Sequence, residues 1–166
     1  VEAGEDDQVA VAYETVMNHI DSAVDAIPAS YQRDPSFAVP VAVGLLRQAS
    51  AEYKAAVKDG QMAKVAEYQD SRGFVWVARD LIGSISGNLY NHDKGDFEDV
   101  NQKFAKVMAA WPSPVPPHKP DMTPGDVSAA VSSLELELNG FITHSYGTAD
   151  GGEGGEGGEG GEGGEG

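Results

Sequence analysis

Residues Pro112-Ser-Pro-Val-Pro-Pro-His-Lys-Pro120 place five prolines in nine positions. Proline lacks a backbone N–H and holds φ fixed, so this stretch fits neither a helix interior nor a central strand. It reads as a stiff extended connector. The chain is thereby cut into two parts that must meet again in space to share a core. On both sides, apolar residues recur at spacings of three and four, and no segment shows sustained alternation. The expectation is an all-α bundle of four to five helices, with short loops joining the first four and the Pro-rich crossover before the last.

Five segments carry the helical spacing. The first runs from about Glu5 to Ile27, with Val9, Ala12, Val16, Ile20, Ala23 and Ile27 inward, and Pro28 ends it. The second starts after Asp34-Pro35 or at Pro40 and continues to Lys58. Val41, Leu45, Ala49 and Ala56 form its stripe, and Asp59-Gly60 is its stop. The third spans about Gln61 to Leu89, with Phe74, Val77, Ala78, Leu81, Ile82 and Ile85 inward. The fourth runs from about Asp96 to Trp111 on Phe97, Val100, Phe104, Val107, Met108 and Trp111. The fifth opens at Thr123-Pro124 and buries Val127, Val131, Leu134, Leu138, Phe141 and Ile142.

The domain is expected to occupy residues 1–147. Residues 148–166, ending in eleven Gly and five Glu after residue 150, read as a disordered linker because nothing in them repays the entropy of ordering. The chain carries 27 acidic and 11 basic residues, a net charge of -16. An excess of that sign excludes a nucleic-acid partner, which needs a Lys/Arg footprint. The absence of cysteine removes disulfides, thiolate metal sites and cysteine nucleophiles together. No apolar run reaches the length of a membrane span, so no direct membrane insertion is expected. The first residue is Val1, as in a processed mature protein or a trimmed chain.

Ionisable residues placed on helical wheels give the sharpest functional signal. Glu67 and Asp70 fall in line with Phe74, Val77 and Leu81, and Glu52 falls among Leu45, Ala49 and Ala56. These three carboxylates are expected to face inward, while Arg47, Lys54, Lys64, Arg72 and Arg79 mostly point away. A buried carboxylate without a cation costs several kcal/mol unless a metal takes the place of that cation. Bundles assemble such sites from acids and imidazoles on facing helices, and oxygen donors suit iron, manganese, calcium or magnesium. His19, Glu135, Glu137 and His144, at the margins of their stripes, are candidates to complete the shell. The competing reading is a structural or interaction domain whose acids are solvated, since Glu67 lies near the start of its helix. The spacing Glu67-x-x-Asp70 differs from the Glu-x-x-His of di-iron bundles, and no phosphate loop or nucleophile elbow is present. No enzyme is expected.

Three stretches taken together carry a family resemblance: Glu67-Tyr-Gln-Asp70-Ser-Arg-Gly73-Phe-Val, Trp111-Pro-Ser-Pro-Val-Pro-Pro117-His-Lys-Pro120, and Pro124-Gly-Asp-Val-Ser-Ala-Ala-Val-Ser-Ser-Leu-Glu135-Leu. The succession resembles the extracytoplasmic helical domains found beside oxidase-dependent iron permeases. It is similar also to those fused to halocyanin-like blue-copper domains in haloarchaea. The resemblance, over about residues 5–145, implies a secreted or surface-anchored bundle linked to iron uptake or surface electron transfer. It implies that Glu67, Asp70 and Glu135 sit at the matching positions, with an iron ion as the metal. A membrane-anchored permease or an electron-transfer domain would then be the partner. The permease's own Arg-Glu-x-x-Glu motif is absent, so this chain is not read as the transporter. The expected function is a non-catalytic extracytoplasmic metal-binding module. The alternative is a tethered interaction domain with no metal site.

Overall fold

Seven helices follow one another along the described residues: α1 (Ala3–Asp25), α2 (Ala29–Gln32), α3 (Pro35–Ala56), α4 (Val65–Ser84), α5 (Ser86–His92), α6 (Lys94–Met108) and α7 (Pro124–Gly147). Two short strands, β1 (Val57–Lys58) and β2 (Gln61–Met62), separate α3 from α4. The computed structural model describes the backbone of residues 3–147 and the side chains of residues 7–142, so the expected linker at 148–166 and the His144 side chain lie outside the described residues.

Local chemistry sets the boundaries. The Asp34 carboxylate accepts the Ser36 N–H at 2.8 Å and caps α3. Pro35 occupies the first turn, where a missing N–H loses no bond, and Pro40 lies inside the helix rather than opening it. Asp59 and Gly60, at φ 53° and 74°, form the two-residue turn of an antiparallel hairpin pairing Val57 with Met62. Both residues need positive φ, which is why Asp-Gly serves there. The expected helix from Gln61 to Leu89 is therefore three pieces: a strand, α4 and α5, with a break at Ile85. At α7 the Thr123 hydroxyl accepts the Asp126 N–H at 3.2 Å, while the Asp126 carboxylate accepts the Thr123 N–H at 3.0 Å. That reciprocal pair is a capping box.

Four helices, α3, α4, α6 and α7, form the bundle: α3 packs along α4 and against α7, and α6 closes on α7. The core contains Leu46 and Tyr53 from α3, Tyr68 and Val75 from α4, Phe104 from α6, and Leu134 and Leu138 from α7. The Pro-rich connector is tied to this core by hydrogen bonds. Tyr53 donates to the Met122 carbonyl at 2.9 Å and Tyr68 to the Ser113 carbonyl at 2.7 Å. The Met62 N–H reaches the His118 carbonyl at 3.0 Å. Trp111, 1% exposed, donates through Nε1 to Ser71 Oγ at 2.8 Å and meets Tyr53 edge-on at 5.1 Å. A proline-rich strand cannot pair with itself, so side-chain donors satisfy its carbonyls instead.

The all-helical bundle with a Pro-rich crossover is the observed architecture. A second expectation fails: α1 forms, but its stripe is not inward. Val9, Val16 and Ile20 remain 68%, 54% and 48% exposed.

Candidate functional site

The buried stripe of α4 is Tyr68, Ser71, Val75, Ala78 and Ile82, continuing to Ile85. Of the expected face, Ala78, Ile82 and Ile85 are buried, whereas the line through Glu67, Asp70, Phe74, Val77 and Leu81 lies one residue earlier, a rotation of about 100° about the helix axis. Phe74 and Leu81 are only partly buried, and Val77 is 55% exposed. The same offset occurs on α3, where Ala42, Leu46, Ala49, Tyr53 and Ala56 are buried and Val41 is 41% exposed. Ala49 and Ala56 lie in both sets. The acids travel with their stripes, so the expected inward carboxylates sit on the outer flank of the α3–α4 pair.

Two of the three acids then find ordinary surface partners, and the third is exposed. The Glu67 carboxylate accepts from Lys64 Nζ at 2.9 Å across one helical turn. The bond from Lys64 is the main influence holding the Glu67 carboxyl below its usual range, and it raises the Lys64 ammonium in return. Glu52 accepts from the Gln48 amide at 2.7 Å and adds a smaller upward push on Lys64. Asp70 is exposed. The inward trio without cations is thus corrected. Glu67 is paired with Lys64, Glu52 is bonded to Gln48, and Asp70 is exposed.

The candidates for completing the shell lie elsewhere. Glu135 is held by Arg47 through Nε at 3.1 Å and by a second contact through Nη2, joining α7 to α3. That bond is the chief cause of the rise in the Arg47 pKa. Glu137 accepts from Lys103 of α6. His19 is exposed on α1. Among the described residues, no group of three or more His, Asp or Glu side chains is placed to hold a metal ion. The donors available are single carboxylates already bonded to cations or amides, a poor match to the multi-oxygen shell that hard ions require.

What wheel reasoning missed were the counter-ions. Lys64-x-x-Glu67 is an i,i+3 pair legible in the sequence. Arg47–Glu135 and Lys103–Glu137 join residues 88 and 34 positions apart, and only the folded bundle brings them together. Trp76 is covered by the Arg72 guanidinium at 3.9 Å from the ring centre.

A crossover bundle with a neutral, aromatic-rich interior and an acidic exterior is the class of protein these features define. The chain belongs to the iron permease-associated 4-helix bundle domain family, whose model matches residues 28–145. The matched span begins after α1, in agreement with a bundle that closes without that helix. No curated protein and no solved structure matches the chain. The family ties the chain to iron uptake in the context of a membrane permease. No helix among the described residues is long and apolar enough to cross a membrane.

Proposed function

We propose that this chain is a non-catalytic, extracytoplasmic accessory module of an iron-uptake system. In this reading it works through its surface, as a partner of the membrane permease, rather than through an enclosed metal centre. The observation that carries the reading is the pairing of acids. Glu67, Glu135 and Glu137 are each neutralised by a Lys or Arg. A ligand poised for a hard cation would instead be held free of competing ammonium or guanidinium groups. Iron then enters as the cargo of the system.

The test is uptake and capture together. Deleting the domain is expected to lower iron accumulation by intact cells while the permease remains in the membrane. Purified domain is expected to co-purify with detergent-solubilised permease. Unchanged uptake and no co-purification would remove the proposal. A second reading keeps Glu52, Glu67 and Asp70 as ligands of an iron ion. It is favoured by Glu67 and Asp70 lying one turn apart on the same flank of α4. It requires iron to displace Lys64, so iron binding would have to weaken in Glu67→Ala and strengthen in Lys64→Ala.

A further inference from the structure

The chain has 11 basic side chains against 27 acidic ones, yet two of the basic ones line a single cleft. This cleft lies between α3 and α7 and has a volume of about 320 Å³. It takes Arg47, Ser50 and Lys54 from α3 and Ser128, Ser132 and Glu135 from α7. Glu135 is the one carboxylate in the lining, and Arg47 already neutralises it. That contact occupies two N–H donors of the guanidinium and leaves the others for a second acceptor. Among the described residues Lys54 makes no ion pair, so the cleft carries an uncompensated ammonium. Other acids of the two helices lie on their far sides: Glu52 on α3, and Asp126 and Glu137 on α7. Each is bonded away from the cleft, Glu52 to Gln48, Asp126 to Thr123 and Glu137 to Lys103 of α6.

The hydroxyls narrow the class of ligand. Ser71 and Ser84 on α4 turn their hydroxyls back onto helix carbonyls. Those of Ser50, Ser128 and Ser132 make no hydrogen bond among the described residues, so three donors stand available on the cleft wall. Together with the Lys54 ammonium and the spare Arg47 N–H groups, they outnumber the two oxygens of a carboxylate and suit the oxygens of a phosphate group. Beside them Ala51, Pro124 and Val131 form an apolar wall, and a volume of this size takes a small organic molecule rather than a bare ion. The geometry points to a binding site for a small organic phosphate, with its phosphate against Lys54 and the three hydroxyls and its carbon part against the apolar wall. The site is independent of the permease reading, since it needs neither iron nor a membrane partner.

Titration of the purified whole chain with glycerol 3-phosphate tests this, read by amide chemical shifts at an ionic strength held constant with NaCl. Saturable shifts are expected at residues 47–54 and 128–135, and none with glycerol. Lys54→Gln removes the uncompensated ammonium and is expected to weaken binding about tenfold, the usual effect of losing a hydrogen bond to a charged group. Ser128→Ala/Ser132→Ala is expected to weaken it severalfold with unchanged helicity, because both positions are exposed. Glu135→Gln is expected to tighten binding, because it frees Arg47 and removes the negative charge from the lining. A titration without saturable shifts overturns the inference, and so do shifts that Lys54→Gln and Glu135→Gln both leave unchanged. Acetate binding as tightly as the phosphate overturns the assigned ligand class.

Discussion

Helices α1 and α7 are nearly equal in length, 23 and 24 residues, and both repeat apolar residues at helical spacing. α7 buries Val127, Val131, Leu134 and Leu138 against α3 and α6, whereas α1 leaves its stripe in solvent. Periodicity records that a face exists, and the rest of the fold decides whether anything covers it. The α7 stripe has two neighbours reached through short-range and crossover connections. The α1 stripe has only its last turn, where Val24 and Ile27 line a cleft with Phe37, Val41 and Leu81.

Truncations in the two helices should therefore separate widely. Leu134→Ala in α7 is expected to cost about 2–5 kcal/mol by denaturant unfolding, the usual cost of opening a core cavity. Ile20→Ala in α1, measured on dilute protein, is expected to change stability by less than about 0.5 kcal/mol. Equal losses would show that α1 is packed within one chain.

The connector supplies an intermediate case. Tyr53→Phe removes the donor to the Met122 carbonyl and is expected to cost about 1–2 kcal/mol, part of it from leaving that acceptor short of a partner. The same residue predicts an alkaline transition. Burial, helped by Tyr68, Asp121 and Asp126, raises the Tyr53 phenol to about 12. An unfolded tyrosine titrates near about pH 10, so the stabilisation is whole below that pH and is lost as pH climbs towards about 12. Melting temperature followed across this window should fall in the wild type and fall less in Tyr53→Phe. A smaller effect is expected at the start of α3, where Asp34→Ala removes the cap and costs roughly 1 kcal/mol. The smallest is Lys64→Ala, which breaks an exposed pair and should leave thermal unfolding almost unchanged.

The sequence made some of this legible and hid the rest for identifiable reasons. Val100, Phe104 and Val107 on α6 and Val127, Val131, Leu134, Leu138 and Phe141 on α7 recur at helical spacing and are buried, so wheels place them correctly. On α3 and α4 the small residues Ala42, Ala49, Ser71 and Ala78 share the seam with Leu46, Val75 and Ile82, while the bulky Val41, Leu45, Phe74, Val77 and Leu81 lie on the flank. A hydrophobicity wheel follows bulk and turns the helix by one residue, carrying Glu52, Glu67 and Asp70 inward with it. Tyr53, Tyr68 and Trp111 mark the true seam, because large aromatics with a polar tip reach both a core and a carbonyl. The Asp59-Gly60 hairpin was hidden because strands of two residues cannot show alternation.

The measurement that bears most directly on the central claim, that Glu52, Glu67 and Asp70 are ordinary surface acids rather than an iron site, is calorimetric melting with ferrous and then ferric ion. A site filled at a hundredfold excess over its dissociation constant would add about 2.7 kcal/mol, several degrees for a domain of this size. The account predicts a melting temperature unchanged within about one degree, and the same curve for Glu67→Ala/Asp70→Ala. A rise of several degrees in the wild type that vanishes in the double variant would contradict it.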